Sequence, residues 1–248
     1  MKLGKLAPKY NSKTLLLSDY LTDALPVPPE KVYREYKIPA DAWGMYANDR
    51  IGICACAEVA HHLMLVTAHT GKIFIPDEVD VIAMYSAISG YDPTTGLNDN
   101  GCAITDVLNY WHTTGLAGHK ILGWAQIDHT NMIRRNQGIW LFGSNDVGVQ
   151  LPAIAQQQFT DQQNWEIVPD DGGIEGGHCI MESGYGSEGS NYCTWGYGEQ
   201  KASNDWNNQY VDESYVVLTS EWIEIASGLA PNGFNVDALI ADLKVVAA

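Results

Sequence analysis

The sequence predicts an α+β fold in which helices come first and strands follow. Apolar residues recur at helical spacing until about residue 136, whereas short strand-like runs bounded by Gly, Asn, Asp and Ser follow from residue 138 onwards. Of the 248 residues, 46% are hydrophobic and 10% are aromatic, as is typical of a globular protein. We therefore expect two lobes around a shared core, a helical N-terminal lobe and a C-terminal lobe built on an antiparallel sheet or barrel.

The first half of the chain is predicted to contain an arm and then four helices. The prolines of "LPVPPE" enforce extended backbone, so residues 1–36 are expected to form an arm packed along the surface. Residues 37–125 would form the helical lobe. Apolar spacing and the breaker "GYDP" place the helices at Cys54–Ala68, Asp77–Ser89, Ile104–Thr113 and Asp128–Asn136.

The second half, residues 126–248, is expected to be rich in strands. Alternating or continuous apolar runs separated by turn residues predict strands at Gly138–Pro152, Gly176–Gly186, Asn191–Gly198 and Glu213–Thr219. A last helix is expected over Asn235–Val246, with Asn235 as its N-cap.

Charge and cysteine content limit the classes of partner. The formal net charge of −16 argues against nucleic acid and anionic membranes, because a polyanion would be repelled. The sequence has no 18-residue apolar stretch and no signal-peptide core. Five cysteines without a secretion signal are more typical of free thiols than of disulfides. A cytoplasmic protein is expected, with association with a virion or another assembly as a variant of that expectation.

Cys54 is the first candidate for chemistry. It follows Gly52 closely and opens the first strong helix, where unpaired backbone N–H groups and the helix dipole favour a thiolate. A thiolate is a nucleophile, and a distant histidine could complete an ion pair with it. The alternative is that Cys54 is a small buried residue like most cysteines.

A series of local motifs resembles the papain-like cysteine peptidase superfamily over residues 38–218. "IPADAW" precedes Asn48, which lies six residues before Cys54. "NDNGCAITDVLNYWHTTG" and "NQGIWLFGSNDVGVQLP" follow in the order of that superfamily. His178 lies six residues before a Gly-Tyr-Gly turn, and "CTWG" begins at Cys193.

The resemblance implies a papain-like two-lobe fold and a role for each matched position. Cys54 would be the nucleophile and His178 its proton acceptor, while Asn48 and the backbone N–H of Cys54 would hold the oxyanion. Gly177, in the glycine-rich run before His178, and Trp195 would line the substrate cleft, with Trp195 shielding the histidine from water.

The chain departs from the superfamily pattern at two of these positions. Asn48 replaces a glutamine but is still an amide donor. Cys193 replaces the asparagine that orients the histidine, and its side chain is expected to point towards His178. A thiol is a weak acceptor, so Thr194, a backbone carbonyl or Glu175 are alternative orienting groups.

The remaining cysteines and histidines are expected to be structural. Cys56 falls on the apolar face of the first helix. In secreted relatives the cysteine matching Cys102 pairs with one at the position of Ile51, so the resemblance implies that Cys102 is free here. The side chains of His61 and His62 diverge by roughly 100° on a helix. No metal and no cofactor are expected.

Three functions fit these observations. The leading hypothesis is a thiol hydrolase that cleaves a peptide or amide bond in a peptide or protein substrate. The second is a catalytically weakened papain-fold protein with a binding or structural role, such as a subunit of a homo-oligomer or a larger assembly. The third is acyl transfer by the same Cys–His pair. A thiol-reactive activity probe distinguishes the first two.

Overall fold

The computed structural model describes residues 1–9, 14–21, 27–33, 38–222 and 237–238. These residues form the predicted α+β fold, with three of the helices before the first strand. The α-helices of this part of the chain are α1 (Cys54–His69), α2 (Glu78–Ser89), α3 (Ile104–Thr113), α4 (Met132–Phe142), α5 (Ala153–Thr160) and α6 (Asn204–Tyr210). Short 3₁₀ helices span Leu17–Tyr20 and Ala40–Ala42.

One antiparallel sheet organises the second half of the chain. Its strands are β1 (Gly123–Ile127), β2 (Asn145–Pro152), β3 (Ile174–Gly186), β4 (Gly189–Thr194), β5 (Tyr197–Ser203) and β6 (Val211–Leu218). They pair in the order β1-β6-β2-β3-β4-β5. The division into an arm and two lobes stays a prediction, and its boundary at residues 125 and 126 falls inside β1.

Helix α1 lies at the centre of the molecule and packs against β3. Every residue from Cys54 to Thr67 is buried, including Glu58 and two histidines. A helix that is buried on all faces has no solvent stripe. Apolar periodicity therefore locates α1 in the sequence but does not reveal which of its faces contacts the sheet.

The prediction for residues 128–152 is partly wrong. The fourth helix does not stop at Asn136 but continues to Phe142, and β2 begins only at Asn145. Gly138 does not break the helix. It allows close packing, because a Cβ there would lie 2.1 Å from Asn145 Oδ1. The helix ends at Gly143, whose φ of 93° is a conformation that glycine adopts easily.

Four elements were not expected from the sequence: β1, β5, α5 and α6. The strand predicted over Asn191–Gly198 is wrong in its second half, because β4 ends at Thr194 and the chain turns before β5 begins at Tyr197. Strand β1 is only five residues long, and α5 carries three consecutive glutamines, so neither has a strong periodic signal. Helix α6 is capped by Ser203, whose hydroxyl accepts a hydrogen bond from the backbone N–H of Trp206. The helix predicted over 235–246 lies outside the described residues, except for the helical pair 237–238.

The described parts of the arm make isolated strand pairings with the rest of the molecule. Leu16 pairs with Gln126, and Val32 pairs with Tyr185. Lys5 pairs with both Cys102 and Gly177 and is buried, whereas neighbours such as Lys2, Leu6 and Lys9 are exposed. The packing of the arm along the surface stays a prediction. In the part of the chain that the structure describes, no helix has the length and apolar character needed to span a bilayer.

Candidate active site

Cys54 lies at the N-terminus of α1, as the sequence predicts. The loop before it is fixed by the backbone N–H of Gly52, which donates to Asp99 Oδ1 over 2.8 Å, and by Tyr85 Oη, which donates to the same oxygen over 2.6 Å. The side chain of Cys54 is buried, with 1% of the residue exposed. Helix α1 therefore presents the thiol from a rigid position inside the protein.

The expected lowering of the Cys54 pKa is wrong for this structure. Burial raises the pKa of Cys54 to about 11, although backbone hydrogen bonds from Cys179, Gly4 and Ala55 act in the opposite direction. The helix N-terminus does supply N–H groups, but the loss of water outweighs them. The thiol is consequently neutral at pH 7 while it is covered.

His178 lies on β3 and is fully buried. Its Nε2 is 2.8 Å from Thr194 Oγ1, and its ring stacks on Trp195 with 4.5 Å between the ring centroids. Burial, followed by the positive N-terminus and by His61, lowers the pKa of His178 to about 3. His178 Nδ1 has no hydrogen-bond partner among the described residues. The ring is thus neutral and is held by Thr194 at Nε2, while Nδ1 is buried without a partner among the described residues.

Cys193 does not have the expected orientation. Successive side chains of a strand point to opposite faces of the sheet. Cys193 packs in a buried apolar cluster with Leu65, Val66 and Met181, while the next residue, Thr194, contacts His178. Of the orienting groups considered from the sequence, Thr194 is the one that this geometry supports.

Cys54 lies beside the strand that carries His178. The backbone N–H of Cys179, the residue directly after His178, is one of three that lie close to the Cys54 sulfur. Trp195, with a φ of 48°, turns the chain between β4 and β5 and covers the imidazole. Trp195 thus lies beside the histidine, and its role in lining the substrate cleft stays a prediction.

Residues 2–6 lie between the start of α1, which carries Cys54, and strand β3, which carries His178. We call the space between these two elements the cleft. Lys5 N donates to Gly177 O over 3.0 Å, and Leu6 N donates to Cys102 O over 2.9 Å. On the other side, Lys2 N donates to Asn48 O over 3.2 Å. Asn48 is buried, and its Oδ1 accepts no hydrogen bond from the described residues. Asn48, predicted to hold the oxyanion, and Gly177, predicted to line the substrate cleft, therefore both contact the chain's own N-terminal segment.

Gly4 passes directly over the start of α1. A Cβ at Gly4 would lie 2.0 Å from Gly52 O, so only a glycine fits there. Its backbone N–H is one of the groups that reach the Cys54 sulfur. The N-terminal segment thus shields the candidate nucleophile from solvent.

The side chain of Lys5 fills an acidic pocket beside the cleft. Its ammonium lies 2.9 Å from Asp212 Oδ2 and 3.0 Å from Glu213 Oε1, and the side chain is fully buried. Burial alone would lower the pKa of Lys5, but Glu213 and Asp212 together raise it above its ordinary value. Sequence reasoning missed this pocket because no local pattern links Lys5 to residues more than 200 positions away.

Comparisons with known proteins agree with the fold described above. No family model matches the sequence, and no curated protein is similar to it. Among solved structures, xylellain, a cysteine protease from Xylella fastidiosa, has 14% identity and a TM-score of 0.66, with 88% of this chain and 96% of that chain covered. A digestive procathepsin L 3 of Tenebrio molitor has 12% identity and a TM-score of 0.58, with coverage of 85% and 75%.

A third solved structure leads to the same conclusion. A cysteine protease of Carica candamarcensis, in complex with E-64, has 13% identity and a TM-score of 0.54, with 77% of this chain and 99% of that chain covered. The three-dimensional agreement extends over most of the chain and establishes the fold. At identities this low it shows the fold alone. The expectation from the sequence motifs is confirmed at that level: this chain has the fold of the papain-like cysteine proteases.

Proposed function

We propose that this protein is a thiol hydrolase that cleaves a peptide or amide bond in a peptide or protein substrate. The observation that carries the proposal is the arrangement around His178. Thr194 holds its Nε2, Trp195 stacks on its ring, and the next residue donates its backbone N–H to the Cys54 sulfur. A thiol, an imidazole and an orienting hydroxyl are the parts that nucleophilic catalysis by cysteine requires.

The proposed reaction has two steps, the formation of a thioester on Cys54 and its hydrolysis. Cys54 transfers its proton to His178 Nδ1, and the thiolate attacks the carbonyl carbon of the substrate. The side-chain amide of Asn48 and the backbone N–H of Cys54 stabilise the negative oxygen. His178 then gives its proton to the leaving amine, and water, activated by the same imidazole, hydrolyses the thioester.

Activity requires the N-terminal segment to leave the cleft. With residues 2–6 in place, Cys54 is buried and the segment contacts Asn48 and Gly177, so a substrate cannot reach the thiol and the covered state is inactive. A substrate would replace this segment. Since Asp212 and Glu213 hold a lysine in the covered state, we propose that substrates with a cationic side chain at that position bind best.

A papain-fold protein without turnover is the second candidate. The observation that favours it is the covering of Cys54 by residues 2–6, because the Cys–His pair would be inert if this segment never left the cleft. In this case the protein would have a binding or structural role, for example as a subunit of a homo-oligomer or of a larger assembly. All five thiols are free, so we place either form in a reducing compartment such as the cytoplasm.

An electrophilic peptide probe with a lysine in its recognition sequence tests the proposal. We expect prolonged incubation to give one covalent adduct, located on Cys54 by peptide mapping. His178→Gln should slow the reaction strongly, since it removes the proton acceptor. Equal labelling of all five cysteines, or no labelling in a variant whose cleft is open, would favour the second candidate.

Thr194→Val is expected to lower kcat/KM by about tenfold, which corresponds to about 1.4 kcal/mol of lost transition-state stabilisation. Valine has nearly the same shape as threonine but cannot bond to His178 Nε2. Because Thr194 acts through the histidine, kcat should fall while KM changes little, and Thr194→Ser should restore most of the activity.

The control for this experiment is Cys193→Asn. Its side chain packs among apolar residues, so the added amide should reduce stability and should not raise activity. An increase in kcat for Cys193→Asn, with Thr194→Val unchanged, would assign the orienting role to position 193 instead.

A further inference from the structure

A second group of reactive side chains lies behind the candidate nucleophile. Glu58 is one helical turn after Cys54 on α1, Asp146 is on β2, and Cys179 is on β3. One ligand atom from each of these three residues lies within 4.8 Å of those of the other two. All three residues are buried, with exposures of 1%, 1% and 3%.

These acidic groups lack the partners that burial normally requires. Both carboxylate oxygens of Glu58 and Asp146 Oδ2 have no hydrogen-bond partner among the described residues. In the same part of the chain, the only basic group within 4.0 Å of either carboxylate is His62, whose Nδ1 is 3.7 Å from Glu58 Oε1. A buried carboxylate without a cation is costly, and Glu58 and Asp146 are close enough to hydrogen-bond to each other, so the two groups must either share a proton or hold a positive partner.

The chemistry of the group fits a metal ion. Zinc is bound by cysteine sulfur, histidine nitrogen and carboxylate oxygen, with ligand bonds of about 2.0 to 2.3 Å. In a tetrahedral site such bonds place neighbouring ligand atoms roughly 3.6 Å apart. Cys179 Sγ and Asp146 Oδ1 are 3.0 Å apart, so only small side-chain movements are needed.

We infer that Glu58, Asp146 and Cys179 bind a divalent cation of the zinc class, with water in the fourth position. The sequence predicted no metal. This site could not be found there, because its ligands come from three separate elements and follow no sequence motif. The ion would fasten α1 to the two strands beside it, one of which carries His178. This role is structural and does not depend on the proposed hydrolysis.

Metal analysis of the full-length protein tests the inference. Since the ligands are buried, the ion would enter during folding, so the protein is unfolded with a chelator and refolded with or without zinc. We expect one zinc per chain after dialysis and a higher Tm for the zinc-loaded form. Refolding with Co²⁺ should give a sulfur-to-cobalt charge-transfer band.

Matched variants locate the site. Cys179→Ser should remove the charge-transfer band, and Asp146→Asn should weaken zinc binding by at least about 100-fold, as expected for loss of a direct ligand. Cys102→Ser, which removes a buried thiol elsewhere, should retain the band. Cys54→Ala should retain it as well, which distinguishes this site from zinc held by the Cys54 and His178 pair.

Two results would overturn the inference. Folded wild-type protein that binds neither zinc nor cobalt would mean that Glu58 and Asp146 share a proton instead. A cobalt band that disappears in Cys54→Ala but persists in Cys179→Ser would place the metal at the candidate active site.

Discussion

Lys5→Glu is expected to expose Cys54 and to raise its rate of alkylation by iodoacetamide by a factor of about 100 at neutral pH. The substitution places a third carboxylate beside Asp212 and Glu213, where the native ammonium is fully buried between the two. Repulsion should drive residues 2–6 out of the cleft. A factor of 100 corresponds to about 2.7 kcal/mol in favour of the open state, which is modest for a like charge in a buried acidic pocket.

Peptide mapping with mass spectrometry measures this effect for each cysteine separately. Cys54 should become the most reactive of the five thiols, because solvent access and the helix N-terminus then both favour the thiolate. The same variant should show peptide hydrolysis that the wild type lacks or shows weakly. Cys54→Ala combined with Lys5→Glu should abolish both.

Two further variants isolate the cause. Lys9→Glu makes the same charge change at an exposed ion pair with Asp106 and should leave Cys54 covered. Gly4→Ala leaves the acidic pocket intact, but its Cβ would lie 2.0 Å from Gly52 O, so it should also displace the segment. If Cys54 stays as slow as in the wild type in both Lys5→Glu and Gly4→Ala, the N-terminal segment does not control access.

The parts of the site that could be predicted from the sequence depend on local order. Cys54 at a helix start and His178 on a strand each occupy the expected element, although the Gly-Tyr-Gly segment after His178 belongs to β3 and is not the expected turn. These positions could be predicted because each one belongs to a short pattern of neighbouring residues. The pairing of Thr194 with His178 could also have been found, since strand alternation puts Cys193 and Thr194 on opposite faces.

Contacts between distant segments could not be predicted in the same way. Lys5 meets Asp212 and Glu213 only because the N-terminal segment crosses the cleft, and Glu58 meets Asp146 only because α1 packs against the sheet. The pKa of Cys54 illustrates the consequence. Its helix position was read correctly, but the direction of the shift depends on burial by residues far away in the chain.

Arg135→Met is expected to lower the free energy of unfolding by about 3–5 kcal/mol, the largest stability effect that we predict. Arg135, on α4, forms a buried ion pair with Glu182 on β3, the strand that carries His178. Its Nη2 also donates to Tyr192 Oη over 2.8 Å. Methionine fills much of the space but leaves the Glu182 carboxylate buried without a cation.

Urea denaturation of matched variants separates the effect of this charge from that of general packing. Arg134→Met changes the neighbouring residue, which is partly exposed and bonded to Gln137, and should cost less than about 1 kcal/mol. Adding Glu182→Gln to Arg135→Met should recover part of the loss, because it removes the stranded charge while Asn145 and Ser190 keep partners at that position. Equal midpoints for Arg134→Met and Arg135→Met would contradict the argument. So would a double variant less stable than Arg135→Met, since the cost would then come from lost packing and not from an unpaired carboxylate.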